Sequence, residues 1–346
     1  MQDDYILAPK SKGTSGSGLS GRIFKEVLDM SNKAVQKSYS AMREAKGFFS
    51  SDFERLLLIT TRPDELRPDA VSVERLQAVV ETFVRDMDLS LPTNPYRVTL
   101  RKLWAKLCEP DWRVSLKALC ILHVLLSRGT AEDTIVFKAM MEKMRKERSK
   151  RSKSRFFDVS RVLGDRPPLG LLGDESSARQ CIQFLRHYAN YVLQRSRMFT
   201  GNFEELQLAK RGELQSTEDL VMQLYKAKKL LSLGLACRVS PDIESELTFA
   251  CLEMVVFDLV QLFDLFDTSL SLVLDRKSRM FTRWNKDEAR VLLRTFSKFR
   301  LEVGESIQKE LEDVGSLLAL YGFKEVPRTV NTRNNPKFQA EVGIEA

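Results

Sequence analysis

The segment WRVSLKALCILHVLLS, residues 112–127, constrains the architecture more than any other part of the chain. At helical spacing it is apolar on almost every side, and a helix without a polar face belongs at the centre of a bundle. The helical signal scarcely pauses to either side of it. Upstream, Leu100, Leu103, Trp104 and Leu107 follow the turn at Pro92 to Pro95, and Val73, Leu76, Val79, Val80 and Phe83 precede it at helical spacing. Phe53, Leu56, Leu57 and Thr60 mark a short helix that stops before Arg62 and Pro63, since a residue preceding proline is steered away from helix. Ile23, Val27, Leu28 and Met30 open one amphipathic stretch earlier still. Downstream, a helix covers residues 131–148, and longer helical patterns lie near 175–198, 214–236, 241–276 and 285–322. Sustained period-two runs bounded by Asn-Gly or Asp-Gly turns are missing, so the predicted fold class is all-α.

Within the 241–276 pattern, Ser240, Pro241 and Asp242 read as an N-cap with proline at the first helical position. Val255, Val256, Leu259, Leu262, Phe263 and Phe266 then form one buried stripe. That stripe contains LFDLFD, residues 262–267, which resembles a clathrin-box peptide. Such peptides bind extended and exposed, whereas this one falls inside a strongly periodic helix, so it reads as core. Trp112 and His123 likewise read as packing residues, His123 as a core histidine with its polar atoms satisfied. Gly322 is placed as the glycine that ends the last helix, and residues 164–173, rich in Gly and Pro, are the clearest internal punctuation.

The chain has 346 residues, 43% of them apolar, enough to bury a substantial core. Its five cysteines, Cys108, Cys120, Cys181, Cys237 and Cys251, are odd in number and form no C-x-x-C, which argues against a disulfide framework or a zinc knuckle and favours a reducing, cytoplasmic setting. His123 and His187 are the only histidines. No nucleophile–base–acid set, metal-ligand cluster or phosphate-binding G-x-x-x-x-G-K-[ST] is present, so the expectation is a protein that is no enzyme and carries no metal or cofactor. No secretory leader or long uncharged apolar run is expected to act as a membrane span. The greasiest segment, Leu247 to Leu274, is interrupted by Glu253, Asp258, Gln261, Asp264 and Asp267.

The net charge of +8 is concentrated: residues 138–155 hold nine basic residues against two acids, Glu142 and Glu147, so seven of the eight net charges lie there. Such a focus points to a polyanion. Lys143, Arg145, Lys146, Arg148, Lys150, Arg151, Lys153 and Arg155 are the candidate residues for an anionic membrane or phosphoinositide. Phe156 and Phe157 follow directly; insertion at an interface is conceivable, but packing into the bundle is expected for at least one.

The segment from Trp112 through Lys117, Ala118 and Leu119 to Arg128 and Gly129 resembles the W-x-x-x-x-K-A-L helix of the ANTH domains of endocytic clathrin adaptors, within the ENTH/ANTH/VHS superfamily. Phe184 to Leu193, with Arg186, Tyr188 and Tyr191, is similar to the ANTH F-I-R-R-Y-x-x-Y-L helix. The 243–276 helix and the run from Phe296 to Val303 resemble the C-terminal bundle that ANTH domains have and ENTH domains lack. The resemblance covers roughly 22–325. It implies a right-handed helical solenoid of short helices over about 22–198, then a bundle of longer helices over about 214–325; outside it, residues 1–21, with Gly, Ser, Thr and Lys from Lys10 to Ser20, read as a flexible lead, and the polar residues 326–346 as a disordered tail.

It implies also a non-enzymatic peripheral adaptor that binds phosphatidylinositol 4,5-bisphosphate or other anionic lipids, with clathrin coat components and a SNARE helix as further partners, at the plasma membrane or clathrin-coated pits and vesicles. Family members hold the lipid through K-x9-K-x-(K/R)-(H/Y) near the first two helices. Here a scan from Lys33 meets Arg43 and Lys46 but Ala45 at the third position, and alignment by the second helix meets Phe49, Ser51 and Asp52. Lys33, Lys37, Arg43 and Lys46 are therefore secondary lipid-binding candidates. The competing reading is a basic helical solenoid that binds RNA or a phosphorylated peptide tail in the nucleus, because Lys/Arg-Ser repeats like 148–155 occur in nucleic-acid-binding segments. No aromatic-interleaved basic groove accompanies that charge.

Overall fold

A computed structural model describes residues 52–148, 154–162, 175–210, 216–275 and 285–322. The leading residues 1–51 with Lys33, Lys37, Arg43 and Lys46, the 164–173 loop, the Lys150, Arg151 and Lys153 cluster and the 326–346 tail lie outside them. The described residues form ten α-helices and no strand: α1 Asp52–Thr60, α2 Ala70–Glu81, α3 Pro95–Leu107, α4 Trp112–Arg128, α5 Ala131–Arg145, α6 Glu175–Met198, α7 Glu204–Lys210, α8 Thr217–Leu235, α9 Glu246–Asp275 and α10 Lys286–Leu320.

The helix starts are written locally. Side chains of Asp69, Asn94, Asp111, Thr130, Ser216 and Asn285 each accept from a backbone N–H in the first turn of the helix that follows. Each satisfies a donor that has no partner within the helix. Gly322 closes α10 with φ of +82°, as expected of a glycine one step past a helix. Two boundaries differ from the sequence reading. Residues 241–243 make only a 3-10 turn, and Ser240 donates to Gln180 instead of capping. Helix α9 starts five residues later, where the Ser245 Oγ accepts from the Thr248 N–H and the Thr248 Oγ1 accepts from the Ser245 N–H, a reciprocal cap. Helix α5 ends at Arg145, three residues short of the expected 148.

Helix α4 is the axle predicted from its composition: every residue from Val114 to Ser127 is buried, and it packs against α3, α5, α6 and α9. Helix α9 joins the two halves, touching α4 on one side and α7, α8 and α10 on the others. One apolar core runs from Leu57 to Leu318. Burying α4 and α9 on all sides forces their few polar groups to meet. The Asp258 Oδ2 of α9 accepts from the Arg195 Nε (2.6 Å) and the Tyr191 hydroxyl (2.8 Å) of α6, and lies 2.8 Å from the His123 Nε2 of α4. The other ring nitrogen of His123 lies 3.1 Å from the Tyr188 hydroxyl. Arg195 also donates to the Leu126 and Gly201 carbonyls and stacks over Phe203. His123 is thus the satisfied core histidine expected of it. Leu262, Phe263, Leu265 and Phe266 are buried, so the clathrin-box-like stretch belongs to the core.

Candidate functional site

Helix α5 carries Lys143 and Arg145 in its last turn, where cations offset the negative end of the helix dipole. The chain turns at Lys146 and Glu147, and Arg148 and Arg155 face each other in an isolated antiparallel bridge. Past Arg155, Phe156 and Phe157 tuck under α3, their rings 6.4 Å and 5.4 Å from Trp104. Both are buried, so neither is an exposed insertion side chain. Phe157 has φ of +57°, a left-handed conformation costing a non-glycine residue roughly 1–2 kcal/mol, and its packing on Trp104 holds it there. Asp158 then caps the 3-10 turn Val159–Arg161, which rests on α6.

This folding divides the basic cluster. Lys146, Arg148 and Arg155 are exposed and Lys143 is half-buried. Lys138 is drawn into an ion pair with Glu205 at 2.7 Å and donates to the Met198 carbonyl. Arg145, expected among the exposed cations, is instead only 7% exposed. It donates to the Leu193 carbonyl at 3.1 Å, to the Ser196 hydroxyl at 2.6 Å and to Glu142 at 2.5 Å, while its Nε has no hydrogen-bond partner. The burial that the apolar packing imposes pushes its pKa down to about 10, with Glu142 opposing and Arg197 adding to the shift. It stays protonated at neutral pH.

Between the C-terminal ends of α5 and α6 and the segment 155–159 lies a cleft of about 730 Å³. Arg145, Lys146, Arg155 and Arg197 line it together with Glu142, Asp158, Phe156, Phe157, Val159, Leu193 and Gln194. Its two carboxylates are already engaged, Glu142 by Arg145 and Asp158 by the Ser160 N–H and hydroxyl. Sequence reasoning missed Arg197. The residue lies on α6, far along the chain from the basic run, and nothing in its neighbourhood separates it from Arg195. In the fold the two diverge: Arg195 is fully buried on Asp258, while Arg197 is exposed at the cleft. Two residues along a helix is a turn of roughly 200°, which sends them to opposite faces.

Among the described residues no group of His, Cys, Asp and Glu is arranged to hold a metal ion, and no helix is long and apolar enough to cross a membrane. A family model described as the ANTH domain matches residues 99–313, well over half of the chain and including all of α4 to α9. No curated protein matches the chain.

Proposed function

We infer, from the premise that the chain belongs to the ANTH domain family, that it is a peripheral adaptor binding phosphoinositide-bearing membranes during clathrin-linked vesicle formation. Domains of this family bind phosphoinositides and clathrin machinery. The observation that carries the reading for this chain is the exposure of Lys146, Arg148 and Arg155, the last two brought together by the backbone bridge, with Arg197 lining the same cleft as Lys146 and Arg155. Basic side chains near an anionic leaflet each contribute on the order of 1 kcal/mol, so such a group suffices for reversible adsorption. Lys143, Lys150, Arg151 and Lys153 are further proposed lipid-binding residues on charge alone, with Lys33, Lys37, Arg43 and Lys46 as secondary candidates. Clathrin coat components, and a SNARE helix as cargo, are the proposed protein partners.

The test is flotation with vesicles containing phosphatidylinositol 4,5-bisphosphate beside neutral vesicles, repeated with excess RNA. Binding to the phosphoinositide vesicles that RNA does not abolish is the expected result. Equal recovery with neutral vesicles would sink the reading, and loss to RNA with retention of an RNA complex would move the charge to a nucleic-acid role.

A further inference from the structure

We propose that the cleft between the ends of α5 and α6 is a seat for a multiply phosphorylated polyol, with Arg155 and Arg197 as the side chains that grip a phosphate. The proposal rests on the membrane reading above for its biological setting but not for its chemistry. The volume of about 730 Å³ lies within the range of small-molecule sites, roughly 300–1,000 Å³. Four cations line it, and the two carboxylates beside them are held by Arg145 and by the start of the 3-10 turn. Positive charge is therefore left over.

The cations have different roles. Arg145 is committed to the carbonyl end of α6 through Leu193 and to Ser196, so it supplies field to the cleft floor more than direct bonds. Lys146, Arg155 and Arg197 are exposed at its rim. Arg155 and Arg197 line the same cleft, and guanidinium groups suit phosphate oxygens better than ammonium groups do, because each can donate two parallel hydrogen bonds. The walls beneath them are fixed: Phe156 and Phe157 are locked on Trp104, and Asp158 is locked in its cap. Such a site reads the positions of phosphates, in contrast to a flexible basic loop that reads only charge.

The same chemistry has two sources, a membrane-borne inositol phosphate headgroup or a free inositol polyphosphate. Calorimetric titration of the full chain with inositol 1,4,5-trisphosphate and with inositol hexakisphosphate tests the cleft without a membrane. Arg197→Gln and Arg155→Gln, both at exposed positions, are expected to weaken binding by roughly tenfold to a hundredfold, the loss of one charge-assisted hydrogen-bonding group. Arg290→Gln, the same charge change at an exposed position on α10, is expected to leave it unchanged. Melting curves confirm that each variant is folded. A wild-type chain that gives no titration with either compound, or cleft variants that titrate like wild type, overturns the proposal.

Flotation on phosphatidylinositol 4,5-bisphosphate vesicles against phosphatidylserine vesicles of equal charge then assigns the source. Preference for the former, competed by the free trisphosphate and lost in Arg197→Gln, supports a lipid headgroup in the cleft. Titration that depends on Arg155 and Arg197 without any vesicle preference supports the cleft with a free polyphosphate, and the membrane reading falls alone. Vesicle binding that survives Arg197→Gln in a chain that shows no titration leaves the membrane reading standing and removes the cleft.

Discussion

Asp258 is a carboxylate only 5% exposed, and its surroundings explain why it remains ionised. Burial by itself would raise its pKa, but the charge of Arg195 and the hydrogen bonds from Arg195 and His123 hold it well below the ordinary 3.8. For His123 burial wins, assisted by Arg195 and Arg128 against the pull of Asp258, and its pKa is lowered from 6.5. A neutral ring is enough for its contacts: Nε2–H donates to Asp258 and the other nitrogen accepts from the Tyr188 hydroxyl. Both groups thus have folded pKa values below their unfolded ones, the unfolded chain binds more protons, and stability falls with acid. The His123 contribution is lost as pH drops below about 6.5, and that of Asp258 below 3.8. Unfolding free energies from urea curves are expected to decline from pH 7.5 to 5.5, by up to about 1.4 kcal/mol per pH unit from one histidine. A flat profile in that window would contradict the assignment of a neutral His123. Asp258→Asn leaves the Arg195 guanidinium buried without its anion and is expected to cost about 3–5 kcal/mol in equilibrium denaturation.

Helices α8 and α9 pack closely against each other, and Gly234 shows why. A Cβ at that position would lie 2.7 Å from the Leu259 Cδ2, 3.1 Å from its Cγ and 3.3 Å from the Tyr191 ring. All three neighbours belong to buried side chains. Gly234→Ala is therefore expected to destabilise by about 1–3 kcal/mol through overpacking, even though alanine is the better helix former. Gly315 on α10 has nothing within 4 Å of the same built atom, and Gly315→Ala is expected to stabilise by about 0.5–1 kcal/mol. Opposite signs in one set of denaturation curves are the expected outcome. On α9, Phe263 is 1% exposed, with the Arg300 guanidinium over its ring. Phe263→Ala is expected to cost about 3–5 kcal/mol. A Phe263→Ala chain that melts like wild type but loses clathrin capture would instead establish LFDLFD as an exposed peptide. The start of α9 shows what sequence alone confuses at this scale. Ser240 followed by proline and Ser245 followed by Thr248 are both acceptable caps, and the choice was made by Gln180 of α6 engaging Ser240.

For the whole molecule, a net charge of +8 with seven charges in eighteen residues means that the proposed association with anionic surfaces would be electrostatic. Vesicle recovery is expected to fall steeply between low and physiological salt, as the screening length shortens to about 8 Å, and a salt-independent curve would point to apolar insertion instead. Insertion is disfavoured at Phe156 and Phe157 because both are spent on Trp104. The all-α class, the central place of α4, the burial of the α9 stripe and the kinship carried by Trp112 to Gly129 were all legible from residue order. Periodicity, caps and apolar runs are local properties that each segment carries with it. The candidate site was legible only in outline. Nine clustered cations announce a basic face, yet which of them meet solvent depends on the surface each helix finds opposite. Arg145 turned inward because the carbonyl end of α6 needed donors, Lys138 because Glu205 lay within reach, and Arg197 became part of the cleft because a helix from elsewhere in the chain ends beside α5. Long-range packing alone brings such groups together, since no local rule relates residues fifty positions apart.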